Sequence, residues 1–93
     1  MQFLSISRRR TELFGPEEFD KRLEAEAQRV RELYGEGKVR NIWSREDIPG
    51  AVMLLEAGSL EEARSFVDSL PLARAGMLEV QLLPIKGYRA FSA

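Results

Sequence analysis

The chain contains no cysteine and no histidine. Without cysteine there are no disulfides, thiolate nucleophiles or thiolate metal sites. Without histidine the commonest proton carrier near neutral pH and the commonest metal ligand are both missing. Proton chemistry therefore falls to Glu, Asp, Lys, Tyr, Arg or water. Charge of one sign is also lacking: 14 basic against 15 acidic side chains leave a formal net charge of -1, so no field recommends nucleic acid as a partner. No apolar run approaches the roughly 18 residues of a membrane span. Phe3 to Ile6, followed by arginines, is too short for the core of a secretion signal. These absences lead to the expectation of a cytoplasmic protein with no membrane or nucleic-acid partner. No metal-ligand spacing, phosphate-cradling loop or nucleophile elbow is present, so neither a metal nor a cofactor is expected. Gly35-Glu36-Gly37 reads as a helix stop.

What is present is a small domain, residues 1–93, with 44% hydrophobic residues. A domain of this size is often marginally stable alone, and association is one remedy. Gln2 to Ser7 reads as a strand. Arg8-Arg9-Arg10 follows it, most simply as a solvated strand end, with an anion clamp at a cleft mouth as the sharper reading. Pro16, followed by Glu17 and Glu18, opens a helix. Phe19, Leu23, Val30 and Leu33 form one stripe along it, and Gly35 and Gly37 end it. Val39 to Arg45 is a second strand, and Ile48-Pro49-Gly50 a turn. Ala51 to Ala57 is a third strand whose apolar run places both faces in contact with other groups. Ser59-Leu60-Glu61-Glu62 is a capping box that starts a second helix. Pro71 ends that helix, Leu72 to Gly76 is a loop, and Leu78 to Ile85 is the fourth strand. The tail from Lys86 to Ala93 carries Tyr88 and Phe91, which suit docking on a partner protomer.

The order β-α-β-β-α-β is the ferredoxin-like α+β arrangement with a four-stranded antiparallel sheet. Two helices cover one face of such a sheet. The apolar character of the last two strands on both faces points to a second copy on the other face, a two-fold homodimer.

Three segments resemble a known family. Glu36-Gly37-Lys38-Val39-Arg40-Asn41-Ile42-Trp43 follows the first helix, Leu70-Pro71-Leu72 follows the second, and Leu78 to Pro84 forms an aliphatic last strand. Together they resemble the muconolactone isomerase family of the dimeric α/β-barrel superfamily, with its Glu-Gly-x-x-Arg-His-Leu-Trp and Leu-Pro-Leu words. The resemblance implies a dimeric barrel. It also implies a cleft between sheet and helices in each protomer, and a double-bond shift in a small unsaturated lactone by cofactor-free proton transfer. Higher homo-oligomers are compatible with it. The superfamily also hosts cofactor-free oxygenases, cyclases and non-catalytic binding dimers, and those readings stay open. The family's histidine is Asn41 here, and the first strand lacks the family's basic and imidazole side chains.

Candidate site residues follow. Glu26 lies three residues after Leu23 and four before Val30, on the apolar stripe of the first helix. It also aligns with a glutamate of the family's first helix. A carboxyl facing the sheet would be desolvated and suited to general base catalysis; the plainer alternative is a solvated stripe edge paired with Arg22 or Arg29. Asn41 and Trp43 share one face of the second strand by alternation, with Arg40 opposite. Asn41 suits holding a carbonyl, Trp43 shaping a pocket or filling the core, and Arg40 clamping a carboxylate or pairing across an interface. Tyr34 offers a hydroxyl near the helix end, or packing there. Ser5 and Ser7 are polar groups on one strand face, and Met53 and Met77 are core.

Overall fold

The structure, a computed structural model, describes residues 1–91. Four strands form one antiparallel sheet: β1 (Gln2–Arg9), β2 (Val39–Ser44), β3 (Ala51–Glu56) and β4 (Leu78–Ile85), in the order β2-β3-β1-β4. Four helices connect them: α1 (Pro16–Asp20), α2 (Leu23–Gly35), α3 (Leu60–Asp68) and α4 (Pro71–Arg74). This is the ferredoxin-like α+β fold, with each helical connection broken in two.

The first strand runs two residues further than expected, to Arg9, and two helical boundaries differ from the sequence expectation for local reasons. The helix expected from Pro16 onward breaks at Lys21 and Arg22, where Arg22 becomes the N-cap of α2 with φ -110° and ψ -2°. Leu72 to Gly76, expected as a loop, is mostly the short helix α4. Pro71 does not stop α3, which has already ended at Asp68; it opens α4 at the first helical position, where a missing N–H costs nothing. Gly76, at φ +71°, ends that turn, and the Met77 N–H returns to the Leu72 carbonyl at 3.0 Å. The capping box is seen as Ser59 Oγ accepting the Glu62 N–H at 3.1 Å. Of the tail, Arg89–Phe91 forms a single 3₁₀ turn. There Tyr88 and Phe91 are exposed and contact each other, their ring centroids 5.5 Å apart. Residues 92–93 of the expected tail lie outside the described residues.

Alternation along the strands divides the sheet. Phe3, Ser5 and Ser7 of β1 and Met53 and Leu55 of β3 are buried beneath the helices. Leu4, Ile6, Val52, Leu54 and Leu83 line the opposite face, which no helix among the described residues covers, and are only partly buried. On that face β4 is apolar at one end only, since Glu79 and Gln81 share it. The core beneath the helices is in two parts. The larger joins Phe3, Leu33, Val39, Leu55, Phe66 and Val67; the smaller joins Phe19, Leu72 and Met77. No helix among the described residues is long and apolar enough to cross a membrane.

Candidate active site

A cavity of about 130 Å³ lies at the seam between the two core clusters. Met53, Val30 and Leu70 wall it on the side of the larger cluster, Leu72 and Leu78 on the side of the smaller. Its polar groups are Glu26 from α2, Ser7 and Arg9 from β1, and Ser44 from β2.

Glu26 is held by an unusual arrangement of helix ends. The first N–H groups of a helix have no partner within it. In α4 the first residue is proline, so the Leu72 N–H is the first donor, and the remote Glu26 carboxylate accepts it at 2.9 Å. Neither Arg22 nor Arg29 pairs with Glu26: Arg22 bonds Glu18 and Arg29 bonds Ser69 and Glu32. Burial pushes the Glu26 carboxyl above its usual range, and the Leu72 N–H and the charge of Arg9 offset part of that rise. Only Oε1 carries this bond; among the described residues no protein group donates to Oε2. The residue is thus anchored at one oxygen and available at the other.

The three arginines after β1's apolar stretch separate. Arg8 forms a two-pronged pair with Glu12 and reaches Glu79, on the open face. Arg10 donates through Nε to the Leu78 carbonyl. Arg9 turns under the helices, its guanidinium carbon 5.3 Å from the Phe19 ring centroid. Among the described residues the Arg9 side chain makes no hydrogen bond or ion pair. The solvated-end reading describes Arg8; Arg9 enters the cavity.

Ser7 lines the cavity, but its hydroxyl is engaged at 3.2 Å with both the N–H and the carbonyl of Ala51. It splices β1 to β3 rather than presenting a nucleophile. The other sequence candidates lie away from Glu26. A bulge between Val39 and Asn41 leaves Arg40 unpaired and shifts the phase of β2. Val39 is buried opposite Leu55, yet Asn41 and Trp43 pair with Leu54 and Val52 on the open face. Trp43 is 48% exposed, and Asn41 Oδ1 accepts the Ile42 N–H at 2.8 Å. Ile42 and Ser44 line the cavity instead. Tyr34 is 64% exposed and is not among the lining residues. Among the described residues no three Asp or Glu side chains gather as metal ligands.

Chemically, this arrangement places a half-buried carboxyl within the field of a guanidinium that makes no hydrogen bond or ion pair among the described residues, in a mostly apolar chamber. A carboxylate can take a proton from carbon there, and a guanidinium can stabilise the negative oxygen that results.

Comparison with known proteins agrees with this architecture. A solved structure of 5-chloro-2-hydroxyhydroquinone dehydrochlorinase from Burkholderia phenoliruptrix AC1100, in complex with 2,5-dihydroxybenzoquinone, superposes with a TM-score of 0.71. It is 22% identical, and the match covers 97% of this chain and 98% of the other, so it establishes the shared fold. No curated protein matches the sequence. The family model described as muconolactone delta-isomerase matches residues 1–90. The chain therefore belongs to the muconolactone delta-isomerase family.

Proposed function

We propose that the chain is a cofactor-free proton-transfer enzyme of the muconolactone delta-isomerase type, acting on a small unsaturated lactone. The observation that carries this reading is the Glu26 carboxyl, anchored by the Leu72 N–H and opening beside Arg9 into an apolar cavity. In the first step Glu26 Oε2 takes a proton from a ring carbon conjugated with the carbonyl. The C–H electron pair spreads into the ring as a dienolate, with its charge on the carbonyl oxygen. In the second step the protonated carboxyl returns the proton at the other end of the conjugated system, and the double bond has moved. The substrate's atoms and electrons are otherwise unchanged. Arg9 stabilises the developing oxyanion or holds a substrate carboxylate.

In this reading Asn41, Trp43, Arg40 and Tyr34 do not bind the substrate within one protomer; Asn41 and Trp43 belong to the open sheet face. That face carries Leu4, Ile6, Val52, Leu54 and Leu83, and we assign it to a homodimer contact. Sedimentation equilibrium is expected to give a dimer mass for the wild type and a monomer mass for Leu54→Arg, which sets a charge in the middle of the apolar patch. A monomeric wild type would remove the dimer.

The reaction is tested by incubating the purified chain with muconolactone in deuterated water and following the ring protons by NMR. Deuterium is expected to enter in proportion to enzyme concentration. If the protein leaves the spontaneous exchange rate unchanged, muconolactone is not its substrate.

A further inference from the structure

A second cavity, of about 400 Å³, lies on the other side of Arg9. The inner cavity falls below the ~300–1,000 Å³ common for small-molecule sites, and the outer one falls within it. Phe14, Pro16, Phe19 and Pro49 wall the outer cavity, and Phe14 and Phe19 meet edge to face with centroids 6.3 Å apart. Arg9 lines both spaces. We propose that the outer cavity is a second subsite, which seats an apolar arm of aromatic size on a singly anionic ring substrate, with the anionic group on Arg9 between the two spaces.

Three observations converge on this. The guanidinium already lies over the Phe19 ring, feels the charge of Glu26 through space and makes no ion pair or hydrogen bond among the described residues, so an incoming carboxylate displaces no direct contact. The walls beyond it are aromatic and proline surfaces, which favour a flat apolar group. The exposed Asp20 at this cavity opposes a second negative charge on the arm. The orientation, with the reactive ring toward Glu26 and the arm outward, rests on the proposed role of Glu26; the subsite itself does not.

The test uses ligands that cannot react: 5-oxotetrahydrofuran-2-acetate, which is saturated, and its derivative with a phenyl group on the acetate carbon. Calorimetric titration of the full chain is expected to give about tenfold tighter binding of the phenyl derivative. Phe14→Ala is expected to reduce that preference to less than about twofold. Gly15→Leu provides a second variant, because a Cβ at Gly15 meets no atom within 4 Å and the side chain grows from a residue of the cavity wall. It is expected to abolish the preference while the parent ligand still binds. Arg9→Met is expected to weaken both ligands alike. Equal binding of the two ligands by the wild type, no binding of either, or a preference that survives both Phe14→Ala and Gly15→Leu would overturn the subsite. A phenyl preference without exchange on muconolactone would leave the subsite standing and remove the isomerase reading. Exchange without a preference would do the reverse.

Discussion

Glu26→Gln is expected to lower kcat for proton exchange by about 10²–10⁴-fold, the range for removal of a general acid–base group. KM should change little. The amide oxygen of Gln can still accept the Leu72 N–H, so the junction of α2 and α4 stays intact. The same substitution should not lower stability at neutral pH. Burial raises the folded-state pKa of Glu26 above its unfolded value. A group shifted upward contributes its stability in full below the unfolded pKa, and that contribution is lost as pH rises through the folded value. As pH rises, folding therefore opposes ionisation of this carboxyl in the wild type, whereas the Gln variant has no such group to ionise. Thermal unfolding should find Glu26→Gln at least as stable as wild type between about pH 7 and 8. The difference should disappear below about pH 4, where an ordinary glutamate is mostly protonated in the unfolded chain as well. For the wild type, kcat/KM should rise with pH as Glu26 loses its proton. Exchange that survives in the Gln variant would keep the reaction and move the base elsewhere.

Gly50→Ala is expected to destabilise the fold by about 3 kcal/mol, at the upper end of the cost of overpacking. For a domain of this size that corresponds to a fall in Tm of roughly 12–24 °C. The reason is proximity. A methyl group at Gly50 would lie 2.1 Å from the Ser7 carbonyl oxygen and 3.0 Å from Arg8 Cα, both backbone atoms that cannot rotate away. The strands there are tied closely. Arg9 N–H donates to the Pro49 carbonyl at 2.9 Å, Arg45 N–H to the Gly50 carbonyl at 3.0 Å, and Ser7 is bonded to Ala51 on both sides. Relief of the clash must part β1 from the β2–β3 turn, and Arg9 moves with it. The matched control is Gly15→Ala, where the added methyl meets nothing within 4 Å and the change, at the N-cap of α1, should stay within about 1 kcal/mol. Equal melting temperatures for the two variants would show that the close approach at Gly50 is relieved at little cost.

The order of elements was legible because each element has its own apolar period: Phe3, Leu33, Leu55 and Phe66 lie where alternation or a helical stripe places them. Glu26 was legible for the same reason, as a carboxylate on an apolar stripe. Its partner was not. No residue pattern indicates that Pro71 opens a helix whose first free N–H will meet a side chain 46 positions earlier. Arg9 lay inside a run of like charges that reads either as a solvated end or as an anion clamp at a cleft mouth, and nothing in the run says which arginine turns inward. Ile42 and Ser44 were missed through one inserted residue. Regular alternation counted from buried Val39 puts Asn41 and Trp43 inside, and the extra residue at Arg40 reverses that phase. The signal that was available is the mixture in Val-Arg-Asn-Ile-Trp, where no single phase puts every apolar side chain on one face.

The bulge at Arg40 also has a consequence for how this protein can change over generations. Beyond it, successive residues of β2 answer to different demands: Ile42 and Ser44 to the chamber, Asn41 and Trp43 to the outer surface of the sheet. Substitutions at the second pair leave the lining of the chamber untouched, and substitutions at the first pair leave the outer surface as it was. One short strand can therefore drift in two independent directions, so that descendants of this chain can acquire new neighbours without altering their chemistry, or new chemistry without altering their neighbours.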